Sequence, residues 1–417
     1  MIKKNSFGVI NIFPFFFTSV VTIVIVSIVV KATQQSPQSS SSSQSPQSSS
    51  SLQSSSSSQS SSNYPSSCIE TLSINNACTN TIGLIPVPNG IDGIRECIDF
   101  TGVYPGIPQV YLGITQYKSY ESVVYNTVDN TPNYLEVMQG GLGNCVFDAS
   151  ISQIAYKHPE MIKNIIFNDT EPGIYYIKFY NYIYNFFFLV KITDEFPIDQ
   201  YWEGAFDKFY YDPKIPEKKV IWSHLILKAF ACIIGYYQDI QLVRGNTLQG
   251  YNGITSTVYA ASCLNFLTGY NTTKIFNDNF SYYFTKFNST SYLFLAGAKN
   301  TSDFVNTQST YDSLSNKYIF SDGTYLQLIN AWLGVYKKDN NNCFLIFDSD
   351  GNVIDAIINS HCYSVLGHTS GIVNLRNPWG TYAVTIDNIE YGYKDGLIEL
   401  QINHFNLIYG VLYYLAL

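Results

Sequence analysis

Two stretches of the chain repeat apolar residues at helical spacing. The first follows a glycine-rich run at 140–143 and continues to about Lys157, with apolar residues at Val146, Phe147, Ala149, Ile151, Ile154 and Ala155. The second starts after Pro216, runs to Ile234 and has a wide apolar face. Steps of three and four residues between apolar positions are typical of amphipathic helices. We predict a helix in each stretch and interpret the second as a purely structural one.

Alternating apolar and polar positions predict strands elsewhere. Residues 173–180 and 184–192 alternate in this way and are rich in aromatic side chains. The stretch 343–379 consists of short strand runs separated by turns, and two of these runs, 361–367 and 371–377, form the arms of a predicted hairpin. The pattern therefore predicts a chain that contains both helices and strands.

The first part of the chain has a different character. An uncharged apolar run extends from Phe7 to Val30 after two lysines. At about 1.5 Å per residue it reaches roughly 36 Å, enough to cross a bilayer. We assign residues 1–32 to a signal anchor, with a cleaved signal peptide as the alternative. The remainder is expected outside the cytosol, as a membrane-anchored or a secreted protein.

Three further segments follow this start. Residues 33–63 are almost entirely Ser and Gln and are predicted to be a disordered linker, because they hold too few apolar residues to form a core. Residues 64–114 are an N-terminal extension of unknown role, and 115–417 form the main domain. Glycosylation sequons, which agree with secretion, occur at Asn168, Asn271, Asn279, Asn288 and Asn300.

Composition narrows the function classes. The net charge is −8 and the basic residues are scattered, which argues against nucleic-acid binding. The 35 Tyr and 27 Phe residues favour a packed, strand-rich core. Of the eight cysteines, seven remain if one is catalytic, and an odd number cannot all pair within the chain. We expect a disulfide or two at most, with no pairing assigned.

One cysteine occupies a position that suits a nucleophile. Cys145 lies where the glycine-rich run enters the first predicted helix, and unpaired N–H groups with the helix dipole favour a thiolate there. Gln139, across the glycines, can direct its amide N–H at an oxyanion beside the sulfur. A buried packing cysteine or a phosphate-binding loop is the alternative, although neither the dinucleotide fingerprint nor the P-loop pattern is present.

The late hairpin supplies a base for such a nucleophile. If residues 368–370 close it, His361 and Asn377 each lie eight positions from Thr369 and stand opposite one another. Their Cβ atoms would then be about 4.5–5.5 Å apart. The Asn carbonyl can orient the imidazole and leave the other ring nitrogen for a thiol. A metal site of His361 and His368 is the competing interpretation, and it has no evident third ligand.

These blocks together resemble the protease core of the calpain family of cysteine proteases. The run Gln139-Gly-Gly-Leu-Gly-Asn-Cys145-Val-Phe is similar to that family's Gln-Gly-x-Leu-Gly-Asp-Cys-Trp-Phe. His361-Cys-Tyr-Ser-Val resembles His-Ala-Tyr-Ser-Val, and Leu375-Arg-Asn-Pro-Trp-Gly380 matches Leu-Arg-Asn-Pro-Trp-Gly. Trp222-Ser-His-Leu-Ile-Leu-Lys-Ala-Phe-Ala resembles a helix of the same family. The resemblance spans about 115–417.

The resemblance implies an α+β fold with two papain-like subdomains, a helical half with the nucleophile and a β-rich half with the His and Asn. The roles it carries over are Cys145 as nucleophile, His361 as general base, Asn377 as its orienter and Gln139 as oxyanion donor. It implies a cysteine endopeptidase that cleaves protein or peptide substrates through an acyl-enzyme. No cofactor is required for the chemistry, but calcium regulation is implied, with Glu136 aligned to an acidic ligand.

Two positions beside the nucleophile depart from the family pattern. Asn144 stands where the family has Asp, and Val146 where it has Trp.

Two other functions stay open at this point. A transglutaminase-type acyl transferase shares the order of Cys and His but uses Asp at the position of Asn377. An inactive surface binding module would keep the fold without the activity.

Overall fold

A computed structural model describes most of the chain beyond its first eighty residues. All described residues belong to one unit, Ser67–Leu417. They are residues 83–88, 90–106, 116–198, 207–234, 250–255, 260–276, 280–299, 310–313, 317–329, 332–333, 336–337, 343–380, 384–386, 389–391 and 394–417. The segments predicted as anchor and linker, 1–32 and 33–63, lie outside the described residues, as do two of the sequons, Asn279 and Asn300.

Helices and strands are mixed along the described chain, as expected of an α+β fold. The helices are α1 Cys145–Lys157, α2 Pro159–Lys163, α3 Trp222–Ile233, α4 Gly250–Thr255, α5 Ala260–Thr268, α6 Ser281–Phe284 and α7 Ile402–Ile408. The strands are β1 Gly83–Ile85, β2 Ile94–Asp99, β3 Gln116–Lys118, β4 Ser122–Val123, β5 Ile166–Asn168, β6 Ile174–Asn181, β7 Phe186–Thr193, β8 Phe196–Ile198, β9 Tyr210–Tyr211, β10 Lys219–Val220, β11 Thr272–Phe276, β12 Tyr292–Ala298, β13 Thr310–Asp312, β14 Lys317–Ile319, β15 Tyr325–Ile329, β16 Trp332–Leu333, β17 Tyr336–Lys337, β18 Cys343–Phe347, β19 Val353–Ile358, β20 Cys362–Thr369, β21 Ile372–Arg376, β22 Val384–Ile386, β23 Ile389–Tyr391, β24 Leu397–Gln401 and β25 Tyr409–Ala416.

Two larger sheets frame the part of the fold that matters for function. The first has the strand order β1-β2-β7-β6-β5, so the extension before residue 115 contributes its first two strands. The second has the order β11-β25-β12-β20-β21-β24. A further five-stranded sheet has the order β13-β14-β15-β18-β19, and the smaller sheets have the orders β17-β16-β22-β23, β4-β10-β9 and β3-β8. Pairing within both larger sheets is antiparallel except where β2 runs parallel to β7.

The hydrophobic interior divides into two main clusters. The first joins α1, α3 and α5 to the first sheet, and Phe147 stacks on Phe230 there with ring centroids 4.6 Å apart. The second joins β12, β20, β21 and α7. Cys362 belongs to the first cluster and Tyr363 to the second. Successive strand residues point to opposite faces, so β20 separates the two clusters.

Helix α1 packs directly on that strand. The Ser364 hydroxyl of β20 donates to the Ala149 carbonyl of α1 at 2.8 Å. Both residues are completely buried. The first turn of α1 is therefore held beside the start of β20.

The predicted helix after Pro216 begins later than expected. Lys219 and Val220 instead form β10, which pairs with β4 and β9, and α3 starts at Trp222. Every residue of α3 is buried, including the Lys228 ammonium, which donates to the Thr193 and Glu195 carbonyls at 2.9 and 2.7 Å. The helix is structural, as its apolar face predicts.

The hairpin of β20 and β21 forms, but in a register that differs from the prediction. Its turn is Ser370–Gly371, where φ is +52° and +85°, the sign that a two-residue type I′ turn requires at both positions. A bulge between Val365 and Gly367 then shifts the pairing by one residue. The predicted register, symmetric about Thr369, is therefore wrong, because the turn lies at residues 370–371 and not at 368–370.

Among the described residues, no helix combines the length and apolar character needed to span a bilayer. The six cysteines in this part of the chain are free thiols: Cys97, Cys145, Cys232, Cys263, Cys343 and Cys362. Cys68 and Cys78 lie outside the described residues.

Candidate active site

Cys145 is the first residue of α1, as the apolar spacing predicts. The preceding Asn144 is the N-cap, and its carbonyl accepts from the N–H groups of Phe147 and Asp148 at 2.8 and 3.1 Å. The Cys145 thiol is half-buried. It accepts backbone hydrogen bonds that include one from Cys362, the residue after His361. This contact places the sulfur at the start of β20.

Burial dominates the acidity of this thiol. Desolvation raises the pKa of Cys145 to about 11, and Asp148 would add to the rise in its ionised form. The N–H groups of Cys362 and Val146 act in the opposite direction. Desolvation and the backbone donors therefore act in opposite directions on the pKa of the thiol, and desolvation is the larger influence. The thiolate at the helix N-terminus stays a prediction.

The imidazole of His361 is hydrogen-bonded to the amide of Asn377. The distance from His361 Nε2 to Asn377 Oδ1 is 2.9 Å, and both residues are buried. Asn377 Oδ1 also accepts from the Trp379 N–H at 3.0 Å, which identifies it as the carbonyl oxygen. Nε2 of His361 must then be the donor, so in the neutral ring Nδ1 carries the lone pair.

Asn377 is held on its backbone as well as its side chain. Its N–H donates to the Gly396 carbonyl at 2.8 Å, and its carbonyl accepts from the Gly380 N–H at 3.1 Å. Gly396 has a φ of +75°, and a Cβ atom there would lie 2.5 Å from the Asn377 carbonyl oxygen. Position 396 therefore requires glycine. The backbone that places the orienting amide depends on this close approach.

Gln139 lies beside the nucleophile loop, buried except for 5% of its surface. Its backbone N–H donates to the Pro378 carbonyl at 2.8 Å, which joins it to the segment after Asn377. The side-chain Nε2 donates to the Leu142 carbonyl at 2.6 Å. Because an amide nitrogen has two hydrogens, this bond leaves a second N–H of Gln139 for another acceptor.

Arg376 connects the hairpin to the nucleophile helix, a role that its place in the motif beside Asn377 could have signalled. Its completely buried guanidinium donates to Ser152 Oγ of α1 at 3.1 Å and to the Val137 carbonyl at 2.6 Å. It also donates to the carbonyls of Leu135 and Asp395, at 3.4 and 3.2 Å. One side chain thus joins β21, α1 and the segment before the glycine-rich loop.

Sequence reasoning missed two buried carboxyl groups near the nucleophile. Asp148, in the first turn of α1, is completely buried, and Asp207 is exposed by only 1%. Asn144 Nδ2 donates to Asp207 Oδ1 at 3.1 Å. The signal available in the sequence was Asp148 itself, an acidic residue on a helix face that must be buried.

The carboxylate of Glu136 is held by hydrogen-bond donors of the protein, and its role as a calcium ligand stays a prediction. It is exposed by only 2%, and its carboxylate already accepts from Trp222 Nε1 at 2.6 Å, Asn126 Nδ2 at 2.6 Å and the Asn133 N–H at 2.9 Å. In the part of the chain that the structure describes, no group of three or more His, Cys, Asp or Glu residues is arranged to hold a metal. The hydrogen bonds give Glu136 a structural role.

The two blocks thus converge, one carrying the thiol and the other the hydrogen-bonded imidazole. The family model described as calpain family cysteine protease matches residues 122–386, more than half of the chain. The chain belongs to the calpain family of cysteine proteases. No curated protein matches the chain by sequence.

The calpain-family match includes Gln139, Cys145, His361 and Asn377. It identifies a family of cysteine-type peptidases with an α+β protease domain. This calpain-family chain differs from the expected motif at Asn144, whose side chain pairs with Asp207, and at Val146, which is half-buried. Both differences leave the sulfur, the imidazole and the two amide groups in place.

Proposed function

We propose that this chain is a cysteine endopeptidase that hydrolyses peptide bonds through an acyl-enzyme on Cys145. The observation that carries the proposal is the 2.9 Å hydrogen bond from His361 Nε2 to Asn377 Oδ1, with the Cys145 sulfur bonded to the N–H of the next residue, Cys362. A base held by an orienting group beside a thiol is the arrangement that activates a sulfur nucleophile. The two hydrophobic clusters would correspond to the two papain-like subdomains.

The proposed reaction begins with proton transfer. Nδ1 of His361 takes the thiol proton as the Cys145 sulfur attacks the carbonyl carbon of the substrate. We assign this step to general-base catalysis, in line with the burial that raises the pKa of Cys145. The second N–H of Gln139 stabilises the oxyanion. The imidazolium then protonates the leaving amine, and water, deprotonated by the same imidazole, releases the acyl group.

No step of this mechanism uses calcium. The carboxylate of Glu136 is occupied by three hydrogen-bond donors, so we assign it to holding the segment before the glycine-rich loop. Protein or peptide substrates are proposed as the partners, and nucleic acid is not.

A binding module without activity is the second candidate. One observation favours it, the raised pKa of Cys145, because a thiol that stays protonated is a weak nucleophile. The endopeptidase turns over its substrate, whereas the binding module only binds it.

A transglutaminase-type transferase would instead join an amine to the acyl group and leave water unused.

The test uses the full-length chain and a fluorescently labelled, denatured protein as substrate. We expect cleavage within the substrate chain by the unmodified protein and none by Cys145→Ala. Cys232→Ala is the matched control, because Cys232 is a buried free thiol on α3 and should leave cleavage intact. Parallel reactions with EDTA, with calcium and with a primary amine distinguish the alternatives. Binding without cleavage in every condition would support the inactive module.

We also propose that the protein is anchored in a membrane, or secreted, with the protease domain outside the cytosol. The apolar run 7–30 and the sequons support this placement. Asn168, Asn271 and Asn288 are all exposed. The side chain of Asn288 also bonds the backbone of His368, at 2.6 Å to its carbonyl and 2.7 Å to its N–H.

Glycopeptide mapping and alkaline carbonate extraction test the placement. Asn168, Asn271 and Asn288 are all exposed, but glycans are expected at Asn168 or Asn271 and not at Asn288, whose amide nitrogen already donates to the His368 carbonyl. An anchored protein stays in the membrane pellet and a secreted one is recovered from the medium. An unglycosylated cytosolic protein would contradict the proposal.

A further inference from the structure

Two buried carboxyl groups close to Cys145 have no part in the mechanism described above. Asp148 lies three residues after Cys145 on α1, and both of its carboxylate oxygens are buried without a hydrogen-bond partner. Asp207 precedes β9, and its Oδ2 is also buried without a partner. Three of the four oxygens therefore have no donor. A buried carboxylate in that position loses its hydration without any replacement.

Asp207 contacts both ends of the glycine-rich loop. Its carboxylate accepts from Asn144 Nδ2 at 3.1 Å and from the backbone N–H of Gly140. Its backbone forms a β-bridge with Gln139. The residue before the nucleophile, the first loop glycine and the oxyanion donor are thus all bonded to one aspartate. Asn144, which stands where the family pattern has Asp, is one of the groups that donate to this aspartate.

Asp148 has a different environment from its neighbour. No N–H group donates to it, and the Arg376 guanidinium, whose charge acts on it, gives its hydrogen bonds to Ser152 and to backbone carbonyls. Asp148 interacts electrostatically with four titratable groups: Asp207, Arg376 of β21, Cys145 of the same helix and Cys263 of α5. Asp207 contacts the His224 ring of α3 through its carbonyl and acts on Tyr251 of α4.

We propose that the two aspartates are a pair of positioning residues for Cys145, in which Asp207 holds the glycine-rich loop through its acceptor oxygens and Asp148 remains a neutral carboxylic acid. The neutral form matters because an ionised Asp148 would place a negative charge one helical turn from the sulfur and oppose thiolate formation. Of the pair, Asp207 takes the negative charge first, because only its carboxylate has N–H donors. The pKa directions agree: burial raises the pKa of Asp148 well above its usual value, and that of Asp207 to about 7.

This inference rests on the proposed function for its meaning, but its tests do not require peptidase activity. The first measures the folding equilibrium of Asp148→Asn and of the unmodified chain between pH 5 and pH 8. If Asp148 is protonated in the fold and ionised when unfolded, the ratio of the two folding constants rises about tenfold per pH unit in favour of the variant. A ratio that stays flat would overturn the neutral-acid assignment.

Asp169→Asn is the matched control for this measurement. Asp169 accepts from Tyr176 at 2.6 Å and pairs with Lys191 at 3.4 Å, so it is ionised in the fold. Its hydrogen bonds lower the pKa, and its ratio of folding constants should stay flat over the same pH range. A rise of equal slope in Asp169→Asn would mean that the effect is not specific to the buried acid.

The second test separates positioning from general stability. Asp207→Ala removes the acceptor, whereas Asp207→Asn keeps an oxygen that can accept from Asn144. We expect Asp207→Ala to slow alkylation of Cys145 by at least tenfold under conditions where the protein is folded, and Asp207→Asn to restore most of the rate. In the peptidase assay, kcat should fall in Asp207→Ala with little change in KM. Equal alkylation rates in the two variants would overturn the proposed role of Asp207.

The outcomes of the two inferences can be distinguished. If the unmodified chain cleaves its substrate but Asp207→Ala does not slow the alkylation of Cys145, only the proposed pair of positioning residues is contradicted. If the variants behave as expected but the unmodified chain cleaves nothing, the proposed function is contradicted and the assignment of the two aspartates stands.

Discussion

Replacing Arg376 by lysine tests how the hairpin is joined to the nucleophile helix. The guanidinium uses three nitrogens to reach four acceptors, Ser152 Oγ and the carbonyls of Leu135, Val137 and Asp395. A lysine ammonium keeps the charge but has one nitrogen, so it cannot reach acceptors on opposite sides of the guanidinium. At least two buried acceptors would lose their donor.

The magnitude follows from those lost donors. Each buried polar group left without a partner costs about 1–3 kcal/mol, so two such groups cost about 2–6 kcal/mol together. We therefore expect Arg376→Lys to lower the free energy of unfolding by about 2–6 kcal/mol. Domains are commonly stable by only about 5–15 kcal/mol, so the loss is a large share. Cleavage should fall with it, because the same side chain bonds the segment before the nucleophile loop.

The assay is urea unfolding followed by tryptophan fluorescence, with Arg95→Lys as the control. Arg95 is exposed on β2, with its guanidinium 4.7 Å from the centroid of the Phe186 ring. A substitution at such a surface position should change the free energy of unfolding by less than about 1 kcal/mol. If Arg376→Lys is no more damaging than Arg95→Lys, the buried hydrogen bonds do not hold the two parts together and the reasoning fails.

Three further predictions concern single contacts. His361→Ala should lower kcat by about 10²–10⁴-fold and Asn377→Ala by less, because the base is lost in one case and only its orientation in the other; steady-state kinetics decides between them. Burial raises the pKa of Asp355 to about 7. Between about pH 4 and pH 7 its carboxyl is therefore protonated in the folded protein and ionised in the unfolded chain, so the free energy of unfolding falls as the pH rises through this range. Asp355→Asn should therefore raise the free energy of unfolding by about 2–4 kcal/mol at pH 8 and much less at pH 4. Thermal melts at the two pH values test this, and an equal effect at both would contradict it. Trp222→Phe removes the indole N–H that donates to Glu136 at 2.6 Å. It should lower the free energy of unfolding by about 1–3 kcal/mol, equally in EDTA and in calcium. A loss of stability seen only with calcium would support Glu136 as a calcium ligand.

Much of the architecture near the site could be predicted from residue spacing. Helix α1 begins at Cys145 and ends at Lys157 because its apolar positions follow a helical period and a glycine-rich run precedes it. The strands 174–181 and 186–193 follow their alternation in the same way. Local patterns of this kind depend on neighbouring residues, which the sequence shows directly.

The errors arose where distant residues decide the outcome. Lys219 and Val220 pair with other strands as β10, and this pairing delays the start of α3. The hairpin register differs from the prediction because the turn lies at 370–371, and the bulge beside Val365 changes it again by one residue. The contact between His361 and Asn377 still forms, since both residues lie just beyond the paired strands.

Trapping the acyl-enzyme tests the central claim most directly. The full-length chain is mixed with an activated peptide ester, quenched in acid and mapped by mass spectrometry. The account predicts one acyl group on Cys145, formed much more slowly in His361→Ala and at the normal rate in Cys232→Ala. Acylation of a different residue, or no acyl group on Cys145 in folded protein, would contradict it.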